Sequence, residues 1–279
     1  ISARSARRWR RARRILRPVL GPVALALPQD AATAGRLVDL GLSETALGPE
    51  IDLKAGVALT PPAADALTEL GFVREDTLLA ASTHEGEEAQ ILAAFVRARA
   101  TRPGLRMILA PRHPRRSAEV AAAIREQGLP FATRSAGDPP GVAPVYLADT
   151  LGEMALWYAA AGTCFVGGSL VPKGGHTPWE PAQFGCAILH GPDMRNAAGA
   201  AARLAEADAA LEVADAEALA RVLSGLSPER QADLGARARA ALQPAESHAI
   251  AARLRSALGL TAADPRDPSE PTRFGLSDA

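Results

Sequence analysis

From residue 75 onward, short apolar runs alternate with longer segments whose apolar residues recur every three or four positions. The short runs are typical of buried strands and the longer periodicity of amphipathic helices. The pattern predicts strands over 77–81, 106–110, 130–133, 145–147, 164–166, 187–190 and 211–213. It predicts helices over 85–101, 115–127, 151–161, 178–184, 195–206, 215–224, 227–242 and 246–258. This alternation indicates an α/β fold with a parallel sheet that is covered by helices on both faces.

The first sixty residues are less regular. Eight arginines lie between residues 4 and 17 among apolar side chains, and Pro18 and Pro22 are expected to end any helix there. Such a segment has two interpretations, a helix lying against anionic lipid head groups or a solvated surface helix. A buried strand is predicted over 23–27, followed by a helix over 29–41 that Asp30 caps and Gly41 closes. An irregular or strand segment over 42–60 then leads to a boundary at Pro61-Pro62.

The composition and charge of the chain disfavour some classes of protein. The 279 residues are 48% hydrophobic and carry 31 basic and 31 acidic side chains. A chain without net charge is a poor candidate for a nucleic-acid binder, so we expect no nucleic-acid partner. Cys164 and Cys186 lie in apolar runs and are expected to be buried thiols of a reducing compartment. The chain begins with Ile1 instead of Met, and we interpret it as part of a longer protein.

Two polar segments follow the first two predicted strands of the sheet. Residues 82–88, Ser-Thr-His-Glu-Gly-Glu-Glu, could present hydroxyls and helix N-terminal amides to an anion. The alternative is a capping box between Ser82 and Glu85, which needs no ligand. Residues 111–115, Pro-Arg-His-Pro-Arg, could project Arg112 toward a phosphate or carboxylate, or could form a solvent-facing loop.

Two further segments follow later strands. Asp149 is predicted to cap a helix, with Glu153 in its first turn and Gly152 allowing a ligand to approach the backbone. Residues 167–182 contain four glycines and then a helix start, an arrangement that favours a backbone cradle for a bulky ligand. Glu180, at the head of that helix, could accept hydrogen bonds from two ribose hydroxyls.

No metal-binding set is recognisable. His176 and Glu180 have the spacing of one helical face, but no third ligand is nearby in the sequence. The chain contains neither a Walker loop nor a nucleophile elbow. The two cysteines lie within predicted strands and away from electropositive helix starts, which disfavours a catalytic thiol.

Taken together and in this order, the segments closely resemble the 3-deoxy-D-manno-octulosonic acid (Kdo) transferase family. The resemblance extends from residue 2 to about residue 260. It rests on residues 81–88, 111–114, 149–153 and 167–181, and on residues 50–54, which are similar to the family's Asn-Leu-Lys motif. The segments 81–88 and 167–181 are the specific ones, and the others contribute through their order.

The resemblance implies a GT-B fold, in which two Rossmann-like halves enclose the active site. It implies that residues 1–61 are the end of an acceptor-binding N-terminal domain and that 62–260 are a complete nucleotide-sugar-binding domain. Residues 261–279, which place three prolines among charged side chains, are expected from their composition to be a disordered tail. Lys54 matches a lysine that stabilises the transition state. The substrate-binding residues implied are Ser82, Thr83, Pro111, Arg112, Gly152, Glu153, Met154, Gly168, Ser169, Thr177, Pro178, Trp179 and Glu180. Neither a cofactor nor a metal is expected.

The reaction implied is the transfer of Kdo from CMP-Kdo to a lipid A precursor in lipopolysaccharide biosynthesis. It would take place at the cytoplasmic face of the bacterial inner membrane. Membrane contact would come from a segment ahead of Ile1, where the family also has its general base, and from the basic segment 4–17. The chain departs from the family at Thr177 and Asp52, where members usually have asparagine, so one donor contact of the amide at position 177 is in question.

Two alternatives remain open from the sequence. A UDP-sugar 2-epimerase has the same fold but would need acid and base residues in its own cleft, and fold alone does not determine function. A non-catalytic nucleotide-binding remnant is the other alternative. Binding of CMP or of UDP discriminates the transferase from the epimerase.

Overall fold

The computed structural model describes residues 1–51, 59–243 and 254–255, and the chain divides into two compact units. One unit comprises Ile1–Asp52 with Pro244–Ala279, and the other comprises Leu53–Gln243. Of the helix predicted over 246–258, only Leu254 and Arg255 are described, and both are helical. The predicted tail and Lys54 lie outside the described residues. The domain limits inferred from the resemblance stay predictions.

The first unit contains the helices α1 (Ala3–Arg10), α2 (Arg13–Leu20) and α3 (Ala31–Leu40). The predicted caps of α3 are both present. The Asp30 carboxylate accepts a hydrogen bond from the Thr33 amide at 2.5 Å, and Gly41 ends the helix in the left-handed conformation with a φ of 117°. That conformation carries little cost for glycine, which is why the helix ends there.

Two predictions for the first unit are wrong, the first of them in part. Of the two prolines expected to end a helix, Pro18 does not, because it lies inside α2, whereas α2 does end at Leu20, two residues ahead of Pro22. Proline removes one helical hydrogen bond, but the Gly21 amide still closes the last turn by donating to the Arg17 carbonyl at 2.9 Å. The strand predicted over 23–27 is reduced to a single parallel bridge between Ala26 and Leu47, since the segment 42–51 forms only a short 3-10 helix at Glu44–Ala46.

The second unit is an α/β domain. Its strands are β1 (Thr77–Thr83), β2 (Arg106–Pro111), β3 (Phe131–Thr133), β4 (Val145–Leu147), β5 (Thr163–Val166), β6 (Ala187–His190) and β7 (Ala210–Glu212). Its helices are α4 (Ala64–Leu70), α5 (Glu88–Arg99), α6 (Ser117–Glu126), α7 (Met154–Ala160), α8 (Trp179–Gln183), α9 (Ala198–Glu206), α10 (Ala216–Gly225) and α11 (Pro228–Ala241). All seven strands pair in parallel, in the order β3-β4-β2-β1-β5-β6-β7.

Successive residues of the central strands face opposite sides of the sheet, and both sides are apolar. In β1, Leu78 and Ala80 join a core cluster with α5, α6 and α10, whereas Leu79 and Ala81 join a second cluster with α4 and α7. A strand that is buried on both faces must be apolar at every position. The predicted parallel sheet with helices on both faces is therefore confirmed.

Helix α4 was not predicted from the sequence. It follows Pro61-Pro62, which was interpreted as a boundary, and it spans only seven residues. Leu67 and Leu70 pack against the second core cluster, so burial stabilises a helix that would be too short to form by itself.

Cys164 and Cys186 are buried free thiols, as predicted. Burial raises the pKa of Cys186 to about 11 and raises the pKa of Cys164 well above its usual range. Both thiols are therefore protonated at neutral pH and poor nucleophiles. Among the described residues, no helix combines the length and apolar character needed to cross a bilayer.

The strand order places a topological switch point between β1 and β5. From β1 the chain adds β2, β3 and β4 on one side, with β4 between β2 and β3, and it then crosses to add β5, β6 and β7 on the other side. The helices that follow two such neighbouring strands lie on opposite faces, which opens a crevice at the carboxyl ends of the strands. In this protein the crevice falls at the segments that follow β1 and β5.

Candidate functional site

The four polar segments singled out in the sequence meet at the carboxyl edge of the sheet. The Arg112 amide donates to the Thr83 carbonyl at 3.0 Å, which joins the segments after β2 and β1. The Gly167 amide donates to the Ala81 carbonyl at 2.8 Å, which joins the segments after β5 and β1. Four stretches that are far apart in the chain thus lie side by side as one surface.

The segment after β1 does not form the predicted capping box. Ser82 has a φ of 57° and lies at an irregularity in the strand register, and α5 begins only at Glu88. The capping-box prediction for Ser82 and Glu85 is therefore wrong. The acid that caps the segment is Glu87, whose carboxylate accepts from the His84 amide at 2.7 Å. Thr83 is fully buried, and its hydroxyl has no hydrogen-bond partner in the described part of the protein.

The glycine-rich segment after β5 packs closely against the end of β1. A Cβ atom on Gly167 would lie 2.5 Å from the carbonyl oxygens of Ala81 and Ser82, so no other residue fits there. Gly168 has a φ of 72°, which favours glycine. The Ser169 hydroxyl is buried and donates to the Val166 carbonyl at 2.5 Å. This hydrogen bond stabilises the conformation of the segment.

Glu180 lies in the first turn of α8, where the helix N-terminus favours a negative charge. The Tyr158 hydroxyl donates to Glu180 Oε2 at 3.0 Å and orients the half-buried carboxylate. Burial, followed by the nearby Cys164 and Glu180, raises the pKa of Tyr158 well above its usual range, so it stays a donor. Beside them, Thr177 is half-buried and Pro178 buried, and buried Trp179 lies 5.7 Å from the Arg203 guanidinium.

The segment after β4 is held by two acids. Asp149 does not cap α7 as predicted. Its carboxylate accepts from the Ser117 and Ser135 hydroxyls at 2.5 and 2.7 Å, because both serines lie at the same edge of the sheet. Burial by itself would raise the pKa of Asp149, but the hydrogen bonds from the two serines lower it overall. The carboxylate is thus kept ionised near neutral pH.

Glu153 precedes α7 and forms an ion pair with Arg134 at 2.5 Å. This pair, with the Thr150 hydroxyl, lowers the pKa of Glu153. Gly152 beside it has a φ of 87° and open space around its Cα, and Met154 is half-buried. The backbone at Gly152 is therefore exposed, and its contact with a ligand stays a prediction.

The residues that follow β2 give one side of the site its positive charge. Pro111 ends the strand, and Arg112 and His113 are exposed beyond it. Arg116, which sequence reasoning did not single out, forms a 2.6 Å ion pair with buried Glu88. Because Glu119 and Glu88 engage Arg116, its guanidinium is occupied by protein carboxylates. Arg112, which lies directly after the strand, takes part in none of the ion pairs of the described residues and remains suited to an anionic ligand, as does the exposed Arg115.

Two imidazoles link the segments after β1 and β5. His84 Nε2 lies 2.9 Å from His176 Nε2, so one ring must donate and the other accept. Burial, with Lys173 and His113 nearby, lowers the pKa of His84. The pair is therefore not doubly protonated at neutral pH.

Other features of the edge were missed by sequence reasoning. Arg134, Ser117 and Ser135 gave no signal, because each is recognisable only through an acid elsewhere in the chain. Within the described residues, no three His, Cys, Asp or Glu side chains are grouped so that they could hold a metal ion. Lys54 lies outside the described residues, so its role stays a prediction.

The fold and this edge define a class of protein. The solved structure of HepE from Anabaena, in complex with UDP and glucose, aligns over 91% of this chain and 67% of its own, with a TM-score of 0.58. At 14% identity that likeness concerns the fold alone, which is the GT-B fold of glycosyltransferases.

The particular family follows from closer matches. A model of the family described as 3-Deoxy-D-manno-octulosonic-acid transferase (kdotransferase) matches residues 1–56. The C-terminal CMP-Kdo binding domain of WaaA from Acinetobacter baumannii is 34% identical, over 64% of this chain and 96% of that domain, with a TM-score of 0.59. Together with a curated Kdo transferase that is 33% identical over 84% of this chain, these matches show that the chain belongs to the Kdo transferase family.

Two curated relatives agree with that assignment. A 3-deoxy-D-manno-octulosonic acid transferase from Haemophilus influenzae is 33% identical over 84% of this chain. Another, from Bordetella pertussis, is 38% identical over 60% of this chain. The matched regions span 57% and 38% of the lengths of these two relatives.

Proposed function

We propose that the carboxyl edge of the sheet binds CMP-Kdo, and that the chain takes part in transferring Kdo to a lipid A precursor in lipopolysaccharide biosynthesis. The observation that carries the proposal is the 34% identity across nearly all of the Acinetobacter domain, which is named for CMP-Kdo binding. The gathering of four polar segments at the switch point of the sheet supports it, since such crevices bind nucleotides.

Each side of the edge suits a different part of the donor. Glu180, held by Tyr158, would accept hydrogen bonds from the ribose hydroxyls, and Thr177 lies just ahead of it. Arg112 would bind the phosphate through its planar guanidinium. The exposed backbone around Gly152 would lie against the nucleobase of CMP. The ion pair between Glu153 and Arg134 holds that segment in place.

The reaction forms a bond between an acceptor hydroxyl oxygen and the anomeric carbon of Kdo. The bond from that carbon to the phosphate oxygen breaks, its electron pair leaves with CMP, and the hydroxyl proton passes to a general base. Charge develops on the phosphate as CMP departs, and a nearby cation would stabilise it. We assign that role to Lys54. A lysine that only bound the donor would, when replaced, weaken donor binding and leave turnover intact.

Calorimetry with CMP and UDP tests the donor assignment. We expect the chain to bind CMP at least about tenfold more tightly than UDP, a difference of about 1.4 kcal/mol. Binding of UDP without binding of CMP would instead support the 2-epimerase alternative. Binding of neither nucleotide would leave the donor-site proposal without support and refute it for this chain.

We further propose that the basic segment of the first unit contacts an anionic membrane surface at the cytoplasmic face of the inner membrane. Eight arginines precede the first acid of the chain, Asp30. No residue of α2 is buried, and Ile15 and Val19, one helical turn apart, are 72% and 64% exposed. Each arginine near an anionic surface contributes ~1 kcal/mol, and the apolar pair adds hydrophobic contact.

Sedimentation with vesicles tests this contact. The chain is expected to sediment with vesicles that contain phosphatidylglycerol and to stay in solution with pure phosphatidylcholine. Replacing Ile15 and Val19 together by serine should reduce sedimentation severalfold without loss of stability, because neither side chain is buried. Equal sedimentation with both kinds of vesicle would show that the arginines do not recognise lipid charge.

A further inference from the structure

Glu87 is a fully buried carboxylate at the carboxyl edge of the sheet. Its Oε1 atom accepts two backbone hydrogen bonds, from the His84 amide at 2.7 Å and from the Gly168 amide at 2.6 Å. The first donor belongs to the segment after β1 and the second to the segment after β5. One oxygen atom therefore joins the two sides of the crevice.

The environment of Glu87 differs from that of a carboxylate kept only for stability. Its neighbour Glu88 is also buried but is paired with Arg116, whereas no ion pair within the described residues includes Glu87. Its Oε2 atom is buried and has no hydrogen-bond partner within the same part of the chain. Burial raises the pKa of Glu87. Burying such a group is costly, and the amides of His84 and Gly168, with the Leu170 amide nearby, offset part of that cost.

The hydrogen bond to Gly168 fixes more than one residue. The Gly168 carbonyl accepts from the Gly175 amide at 2.9 Å, and the Gly167 carbonyl accepts from the His176 amide at 3.0 Å. The start of the glycine-rich segment is thus bonded to its end, directly ahead of Thr177. A change in the peptide plane at Gly168 would be transmitted to the residues that lead into α8 and Glu180.

The hydrogen bond from the His84 amide to Glu87 also holds the two segments together. It fixes the backbone from which the His84 ring reaches His176 Nε2 at 2.9 Å. A Cβ atom on Gly168 would lie 3.2 Å from the His84 ring, which shows how closely the two segments approach. Both ends of the contact between the segments therefore depend on the Glu87 carboxylate.

We propose that Glu87 is a positioning residue for donor binding, which holds the segments after β1 and β5 in the arrangement that presents Thr177 and Glu180 to the nucleotide. This inference rests on the proposed function, in that the nucleotide is taken to be CMP. Glu87 does not touch the donor in this scheme, and its effect is exerted through Gly168 and His84.

Three variants test the proposal. Glu87→Ala removes the acceptor and leaves two amides without a partner. Glu87→Gln keeps an oxygen where Oε1 lies, so it should preserve most of the contact. Glu126→Gln is the matched control, because Glu126 is exposed at the end of α6 and lies outside the four segments of the proposed site.

The readouts are CMP affinity by calorimetry and residue-specific amide hydrogen exchange by NMR. Glu87→Ala should weaken CMP binding at least about tenfold and speed exchange at Gly168 and His84 by at least about tenfold. Exchange at Leu79 and Ile108, in the core of the sheet, should stay within about threefold of the wild type. Glu87→Gln should bind CMP within about threefold of the wild type, and Glu126→Gln should bind CMP as the wild type does.

Two outcomes would overturn the proposal. Wild-type CMP affinity in Glu87→Ala would show that the carboxylate does not position the site. Faster exchange at Leu79 and Ile108 equal to that at Gly168, in both Glu87 variants, would show a role in global stability only. If the wild-type chain binds no CMP, the proposed function fails, but the exchange measurements still decide whether Glu87 joins the two segments.

Discussion

Glu180→Ala is expected to weaken CMP binding at least about a hundredfold, which corresponds to about 2.7 kcal/mol. The carboxylate lies in the first turn of α8, and the Tyr158 hydroxyl holds it at 3.0 Å. A hydrogen bond to a charged group contributes ~1.5–3 kcal/mol, and a ribose offers two hydroxyls to the same carboxylate. Calorimetric titration with CMP measures the loss.

Two further variants make this result specific. Glu206→Ala removes an exposed glutamate at the end of α9 and should leave the affinity unchanged. Tyr158→Phe keeps the buried ring but removes the hydroxyl that orients Glu180, so a loss of about three- to tenfold is expected. Wild-type affinity in Glu180→Ala would show that this carboxylate does not bind the ribose.

Gly167→Ala is expected to lower the free energy of unfolding by about 3 kcal/mol and to remove CMP binding. The added Cβ atom would lie 2.5 Å from two carbonyl oxygens of the β1 backbone, and backbone atoms cannot move aside as a flexible side chain can. The ends of β1 and β5 would have to separate, which would also break the hydrogen bond between the Gly167 amide and the Ala81 carbonyl. Chemical denaturation and CMP calorimetry give the two values.

Gly225→Ala is the matched control for that substitution. Gly225 ends α10, and a Cβ atom there would meet nothing within 4 Å. The free energy of unfolding should change by less than about 1 kcal/mol, and CMP binding should not change. If Gly167→Ala were as stable as Gly225→Ala, the close approach of the two strand ends would not be a requirement of the fold.

The sequence alone predicted the strands of the second unit to within one or two residues, for a physical reason. Strands that are covered on both faces must be apolar throughout, so their runs stand out between polar segments. Helix starts were less accurate, and the error had one direction. Helices predicted to begin at 85, 115, 151 and 195 begin at Glu88, Ser117, Met154 and Ala198.

Apart from Gly86 and Gly152, which adopt positive φ, the residues in those intervals are polar or helix-compatible, and their local preference does not show that they lie outside the helix. Three of the four intervals lie in segments of the proposed site. At 85–87 the chain makes the turn that lets the Glu87 carboxylate accept a hydrogen bond from the Gly168 amide. At 151–153 it makes the turn that lets Glu153 form its ion pair with Arg134. Tertiary contacts override helix propensity at these positions.

The motifs and their order were readable in the sequence, since each follows a strand and the carboxyl ends of parallel strands share one edge. The family assignment followed from that order, and the comparisons confirm it. Which side chains meet was decided only by the folded chain. Asp149 binds serines 14 and 32 residues away, and Glu87 binds an amide 81 residues away. Hydrophobic periodicity reports which face of an element is buried, whereas these contacts depend on the strand order and on how the segments pack beyond the strands.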